Sequence, residues 1–312
     1  MFHFTIQGFS GQNLMLVDSW NYKTVDDYKD LANLIFSMQH IKSFEKVIDT
    51  TGFYDGQTFF NFDFEFTDDD KIEFVMRSSN ATYGFMRGLG DLENKIWKGH
   101  FKMNKLTNLE IVDQRLNALV AEDPRIFNFQ GKKYILVHNV TNPTTMIMYD
   151  IEEEFFTILK DPLDRGKTKN WIPYVDGDNL KFITDILPTR VYDHKTKNFE
   201  QYNQNTFFRV SGSSRLFDFD GVKTAIVHGW STELGKNRFG WPHKYWNAIV
   251  QWDDDWNIRI YNPFFFADDF SVEFTTGIQI KDNRIFFGYT VLDKEIHISS
   301  ISLKDFRNHC FQ

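Results

Sequence analysis

Residues 121–139 read AEDPRIFNFQGKKYILVHN. Apolar residues stand on both sides of Gln130-Gly131, the composition of two short strands joined by a tight turn. The same grammar recurs as FEFTDDDKIEFVMR (64–77), YVDGDNLKFITDI (174–186), LFDFDGVKTAIVHGW (216–230) and IQIKDNRIFFGYT (278–290). Further hairpins fall between these units, at TRVYDHKTKNFEQY (189–202) and AIVQWDDDWNIRIY (248–261). The units are spaced at roughly 40–60 residues, close to one propeller blade. Five of them in 312 residues predict an all-β, five-bladed β-propeller. A large β-sandwich is the alternative, with similar alternation but less repetition.

Before the repeats begin, TVDDYKDLANLIFSMQHI (24–41) has the marks of a helix. Thr24 and Asp27 have capping-box-like spacing, and Tyr28, Leu31, Ile35 and Met38 form an apolar stripe, with Leu34 beside it. The expected organisation is an N-terminal helical segment, 1–50, packed on a catalytic propeller, 51–312.

A hydrophobic content of 42% with 25% charged residues describes a globular chain. The 34 Phe and 8 Trp suit a β-rich core of large flat side chains, or aromatic platforms for sugars or bases. A net charge of -8 and the lack of a basic stripe argue against a nucleic-acid partner. Cys310 is the only cysteine, so no intrachain disulfide or cysteine-based zinc site is expected. The opening MFHFTIQGFSGQNLMLV has neither a basic region nor an unbroken apolar stretch, and no run reaches the roughly 18 residues of a membrane span. A cytoplasmic protein is expected.

In a propeller, residues entering each blade gather around one axis, so groups far apart in sequence converge. Ahead of the five repeats stand Asn61; Glu122, Asp123 and Arg125; Lys169, Asn170 and Trp171; Arg209, with His228 closing its unit; and VEFTTG (272–277), whose hairpin runs on to Asp293. Carboxylates, amides, an aromatic ring and several cations together suit a hydroxyl-rich ligand with an anionic group nearby.

Here EDPRIFNFQGKKYILVH (122–138) resembles the Glu-Asp-Pro-Arg motif and following hairpin of the five-bladed β-mannoside phosphorylases and related mannosyltransferases. FFNFDFEFTDDDKIEFVMR (59–77) is similar to their Asn-Pro-Ser segment and its strand ending in arginine, through Asn61 and Arg77. Arg209 through Gly212 to His228, and Gly288-Tyr289 to Asp293 with one extra residue, match two later motifs. The resemblance spans about Asn61 to Leu303.

It implies a carbohydrate-active enzyme that transfers a mannosyl or similar hexose unit with inversion. Asp123 would protonate the glycosidic oxygen. Asn61, Arg77, Glu122, Arg125, Asn170, Trp171 and Asp293 would bind sugar, and Lys169, Arg209 and His228 would bind phosphate, with Arg125 and Arg190 in reserve. A sugar or sugar phosphate is the implied partner, with no cofactor and no metal.

Two departures keep alternatives open. Asn61-Phe62-Asp63 replaces Asn-Pro-Ser, and KNWIPY (169–174) replaces the phosphorylases' Leu-Phe-Pro-Glu-Lys. The second leaves a nucleotide-sugar-dependent glycosyltransferase conceivable. Hydrolysis would need a second carboxylate, from Glu122, Asp161 or Asp268. Non-catalytic readings also stand: a carbohydrate-binding propeller, turn-capping by Glu122 and Asp123 with Arg125 in a structural ion pair, core packing for Trp171, and a core histidine at 228. Since neighbours on a strand point to opposite faces, Glu122 need not share the pocket of Asp123.

Overall fold

A computed structural model describes residues 4–6, 15–17 and 45–311, apart from 52, 55–56, 68–70, 81–92, 103–104, 164–165, 167, 203–209, 232–243, 262 and 267–271. The chain forms a five-bladed β-propeller. Blade 1 runs outward from Gln57–Phe66 through Ile72–Ser79 and Asn94–Lys102 to Lys105–Ile111, with Phe53–Tyr54 added beside its first strand. Blade 2 is Glu122–Phe129, Lys132–His138, Thr145–Asp150 and Phe155–Lys160. Blade 3 is Ile172–Asp176, Asn179–Asp185, Arg190–Asp193 and Phe199–Gln201. In blade 4 the first strand is split into Val210–Gly212 and Phe217–Phe219, followed by Val222–Ser231, Lys244–Trp252 and Ile258–Ile260.

Blade 5 closes the ring. Its strands Glu273–Lys281, Arg284–Val291 and Glu295–Ser302 are completed on the outside by Glu45–Thr51, from the other end of the chain. The expected boundary at residue 51 therefore cuts off a strand that belongs to the propeller. The remaining described N-terminal residues, Phe4–Ile6 and Met15–Val17, form a two-stranded antiparallel sheet. The helix expected over 24–41 lies outside the described residues.

The hairpins form where the turn residues allow it. Gln130-Gly131, Asp220-Gly221 and Asp282-Asn283 each have φ positive at both positions, the type I′ geometry whose twist matches that of the strands they join. Within the blades, apolar side chains pack on both faces, because each face meets a neighbouring blade. Five buried clusters result, one at each interface. Phe127 and Leu136 meet Phe182 and Tyr192 between blades 2 and 3, for example, and Phe62 and Phe64 meet Ile296 and Ile298 between blades 1 and 5. Most of the described Phe side chains are thus explained by interblade packing.

Two short helices serve the same interfaces. Asp113 caps Gln114–Ala118 by accepting from the Arg115 N–H, and Leu116 is buried between blades 1 and 2. Ser302 caps Leu303–Cys310 by accepting from the Asp305 N–H, and Phe306 fills the junction of blades 4 and 5. Among the described residues no helix is long and apolar enough to cross a membrane.

Candidate active site

The first strands of blades 1, 2 and 5 touch one another around the axis. Each is interrupted there by a register shift, between Phe60 and Phe62, within Glu122–Arg125, and between Thr275 and Gly277. A bulge breaks strict alternation and re-aims side chains. Asn61 (φ 48), Asp123 (φ 54) and Asn170 (φ 62) take the left-handed conformation that Asn and Asp tolerate better than other side chains. One backbone device thus turns three entry residues inward.

Asp123 is 3% exposed. Its Oδ1 accepts from Asn61 Nδ2 at 2.8 Å and lies 3.5 Å from Arg77 Nη1. Asn61 is held in turn by Thr290 of blade 5, whose hydroxyl donates to Asn61 Oδ1 at 3.0 Å. Arg77 also bonds Glu122 Oε1 at 2.9 Å and Asn94 Oδ1 at 3.3 Å, with its guanidinium 4.7 Å over the Phe60 ring. Both carboxylates of the Glu-Asp pair therefore share Arg77. The strand alternation that would send Glu122 to the other face fails because the bulge falls at Asp123. With Oδ1 so occupied, Oδ2 takes no hydrogen bond among the described residues.

The electrostatics set Glu122 and Asp293 apart. Burial alone would raise the Glu122 carboxyl, but Arg77, the His138 ring 3.6 Å away and the charge of Lys169 outweigh it and hold Glu122 well below the usual range. Asp293 goes the other way, pushed up to about 6 by burial, with Arg77 and Lys169 opposing and the charges of Asp123 and Glu122 reinforcing. Lys169 itself is exposed, and its charge acts on Glu122, Asp293 and His228. Residues from all five blades thus lie within electrostatic or hydrogen-bonding reach of one another.

His228 is brought to this cluster but is not a cation. Burial, then Lys169 and Arg125, push its pKa down to about 3. Its Nδ1 is paired with Ser213 Oγ at 2.7 Å. Asn170 is buried with Oδ1 bonded by Arg125 Nη2 at 3.3 Å, while its Nδ2 has no partner among the described residues.

Other expected site residues are placed differently. Arg125 is fully buried beneath the cluster: its Nε donates to Ser213 O at 3.0 Å, Nη1 to Asp123 O at 3.1 Å, and Nη2 to Gly212 O at 3.2 Å. It ties blades 2, 3 and 4 together and fixes the backbone at Asp123, instead of reaching a sugar. Trp171 is 0% exposed, its indole N–H on Thr168 Oγ1 and its ring against Phe182 and Tyr192. That is a core position, which leaves no ring face for stacking. Arg190, the other reserve cation, sits on the third strand of blade 3 with Gln201 and Asp185. Asp161, one candidate base, accepts from the Leu163 N–H in a turn. Arg209 and Asp268 lie outside the described residues.

Sequence reasoning missed His138, Asn94, Thr290 and Ser213. His138 is buried, 3.6 Å from Glu122 Oε2. A signal for it existed. It lies near the end of the second strand of its blade, as Arg77 and His228 do in theirs. Among the described residues no three His, Cys, Asp or Glu side chains come together in a metal-binding group.

No protein-family model matches the sequence, and no curated protein matches it. Solved structures do match the coordinates. A β-1,2-mannobiose phosphorylase from Listeria innocua, in complex with β-1,2-mannobiose, superposes with a TM-score of 0.57 at 10% identity, over 88% of this chain and 96% of that one. The fold is one that mannoside phosphorylases use. A mannose phosphorylase from Leishmania mexicana, in complex with phosphate ion, gives 0.55 at 12% identity over 91% and 94%. A glycosyl hydrolase from Bacteroides ovatus gives 0.57 at 10% identity over 86% and 94%. At such identities the likeness is one of fold, and function must be argued from the residues.

Proposed function

We propose that this protein is an inverting, glycoside phosphorylase-like enzyme acting on a mannosyl or similar hexose unit. The carrying observation is Asp123: Oδ1 is fixed by Asn61 and Arg77, and Oδ2 is left for a ligand. In the protonated form, Asp123 passes its proton to the glycosidic oxygen as the bond to the anomeric carbon breaks. A phosphate oxygen bonds that carbon from the opposite face, giving an inverted sugar phosphate and a free hydroxyl on the leaving group. One catalytic carboxyl suffices, because phosphate is the nucleophile.

Asn61, Arg77, Glu122 and Asp293 are assigned to sugar hydroxyls, and Lys169 to the phosphate, with Arg209 as the further expected cation. Asp293, with a pKa of about 6, is able to donate as well as accept near neutral pH. His228 contributes as a neutral imidazole that polarises a ligand oxygen without adding charge. That missing charge favours a second reading, hydrolysis, in which water replaces phosphate and a carboxylate serves as base.

The test is turnover of β-mannosides with and without inorganic phosphate, in wild type and in Asp123→Asn. The proposal expects phosphate-dependent release of a sugar 1-phosphate, lost in the variant while sugar binding persists. Turnover independent of phosphate selects hydrolysis. A nucleotide-sugar donor turned over in place of phosphate, or sugar binding without turnover, overturns the phosphorylase assignment.

A further inference from the structure

Val210–Gly212, the first piece of the split inner strand of blade 4, pairs with Val222–Ser231 so that Ser211 faces His228. Just past it the N–H groups of Ser213 and Ser214 both donate to Ile226 O, each at 3.1 Å, so two residues stand opposite one. That is a β-bulge, and it re-aims the side chain of Ser213. Its Oγ lies 2.7 Å from His228 Nδ1. The backbone that carries this hydroxyl is pinned on its other side, where Ser213 O accepts from the buried Arg125 Nε at 3.0 Å. Ser213 is fully buried, and among the described residues its hydroxyl has no hydrogen-bond partner besides His228. The imidazole plane is clamped as well, stacked on Tyr245 at 5.8 Å and met edge-on by Phe274 at 4.9 Å.

A neutral imidazole carries its proton on one nitrogen and a lone pair on the other, and the hydrogen bond made by one nitrogen decides the state of its opposite. Two pairings fit the 2.7 Å separation. If Nδ1–H donated to Oγ, the Ser213 hydroxyl proton would be buried with no acceptor among the described residues, a loss that folded proteins avoid. If the hydroxyl donates to the Nδ1 lone pair, both groups are satisfied and the ring proton stands on Nε2. We propose that Ser213 is a positioning residue that keeps His228 in the Nε2–H form, so that the ring offers a ligand oxygen a neutral donor. The reverse form would turn a lone pair toward the ligand and repel an oxyanion. What the donor meets, a phosphate oxygen, rests on the function proposed above; the place of the proton does not.

Nitrogen-15 NMR of the full chain labelled at histidine tests this, with the His228 signals assigned by their loss in His228→Phe. Wild type should show a protonated Nε2 and an unprotonated, hydrogen-bonded Nδ1. Inorganic phosphate should shift the Nε2 signal and leave the proton where it is. Ser213→Ala should remove the hydrogen-bond shift at Nδ1 and raise the KM for phosphate about fivefold, with the sugar KM unchanged. In a His228→Phe background the same substitution should add nothing, because Ser213 acts through the imidazole. A protonated Nδ1 in wild type, or a Ser213→Ala cost that persists in full beside His228→Phe, would overturn the proposal. Should Ser213→Ala fail to fold, the wild-type spectrum decides alone. An Nε2–H ring that ignores inorganic phosphate upholds the role of Ser213 and counts instead against a phosphate contact by His228.

Discussion

Replacing Asp293 by Asn should stabilise the protein, and only above a definite pH. Asp293 is the second central residue of a turn in which the Lys294 N–H donates to Val291 O at 3.2 Å, with φ of 58 at Leu292 and 54 at Asp293. Asn tolerates that left-handed conformation as well as Asp does, so the backbone has no reason to change. What changes is the charge. Folding moves this carboxyl from 3.8 to about 6, because burial and the neighbouring Asp123 and Glu122 outweigh Arg77 and Lys169.

The folded state therefore binds its proton more tightly than the unfolded chain. The associated stability is fully present below pH 3.8 and is lost as pH rises through about 6. A shift of that size corresponds to about 3 kcal/mol. Asn carries no such penalty. In urea unfolding the difference between variant and wild type should be near zero at pH 4 and grow to about 3 kcal/mol in favour of the Asp293→Asn variant at pH 8. Asp63, raised to about 6 by burial, titrates in the same window in both proteins and cancels in the difference. A difference that is flat with pH, or that favours Asp at pH 8, refutes the electrostatic reasoning.

Arg125→Met removes a buried guanidinium from Asp123 O, Gly212 O, Ser213 O and Asn170 Oδ1, and should cost at least about 3 kcal/mol in chemical denaturation. Gly212→Ala places a Cβ 2.5 Å from Asn170 O and 2.6 Å from Ile172 Cγ1, and should lower stability by about 1–3 kcal/mol while displacing Asn170. His228→Phe should raise the KM for phosphate about tenfold with the sugar KM unchanged, whereas His228→Gln, which keeps an N–H at the same reach, should stay close to wild type. Steady-state kinetics with each substrate varied separately distinguish the two.

Much of the fold was legible because its turns are local. Gln130-Gly131 and Asp220-Gly221 announce hairpins by composition, and repetition of the unit announces a ring. The strand Glu45–Thr51 was not legible as part of it, because its pairing with Glu295–Ser302 joins opposite ends of the chain. Of the residues singled out by motif order or by position ahead of a hairpin, the structure brings Asn61, Arg77, Glu122, Asp123, Lys169, His228 and Asp293 near one another.

What pattern misread was depth and direction. Arg125 and Trp171 look like ligand contacts in one dimension, but each sits one layer below, where a guanidinium can satisfy three carbonyls and an indole can fill an interblade junction. Alternation set Glu122 apart from Asp123, and a bulge that no single residue advertises returned it to the same arginine. The charge state of His228 depends on burial and on Lys169 and Arg125, two groups remote in sequence.

General-acid assistance by Asp123 is best measured through its dependence on the leaving group. Asp123→Asn should lose about 10³-fold in kcat on a β-mannoside whose alcohol needs protonation. It should stay within about tenfold of wild type on a dinitrophenyl mannoside, whose phenolate departs without a proton. Equal losses on both substrates would contradict the account.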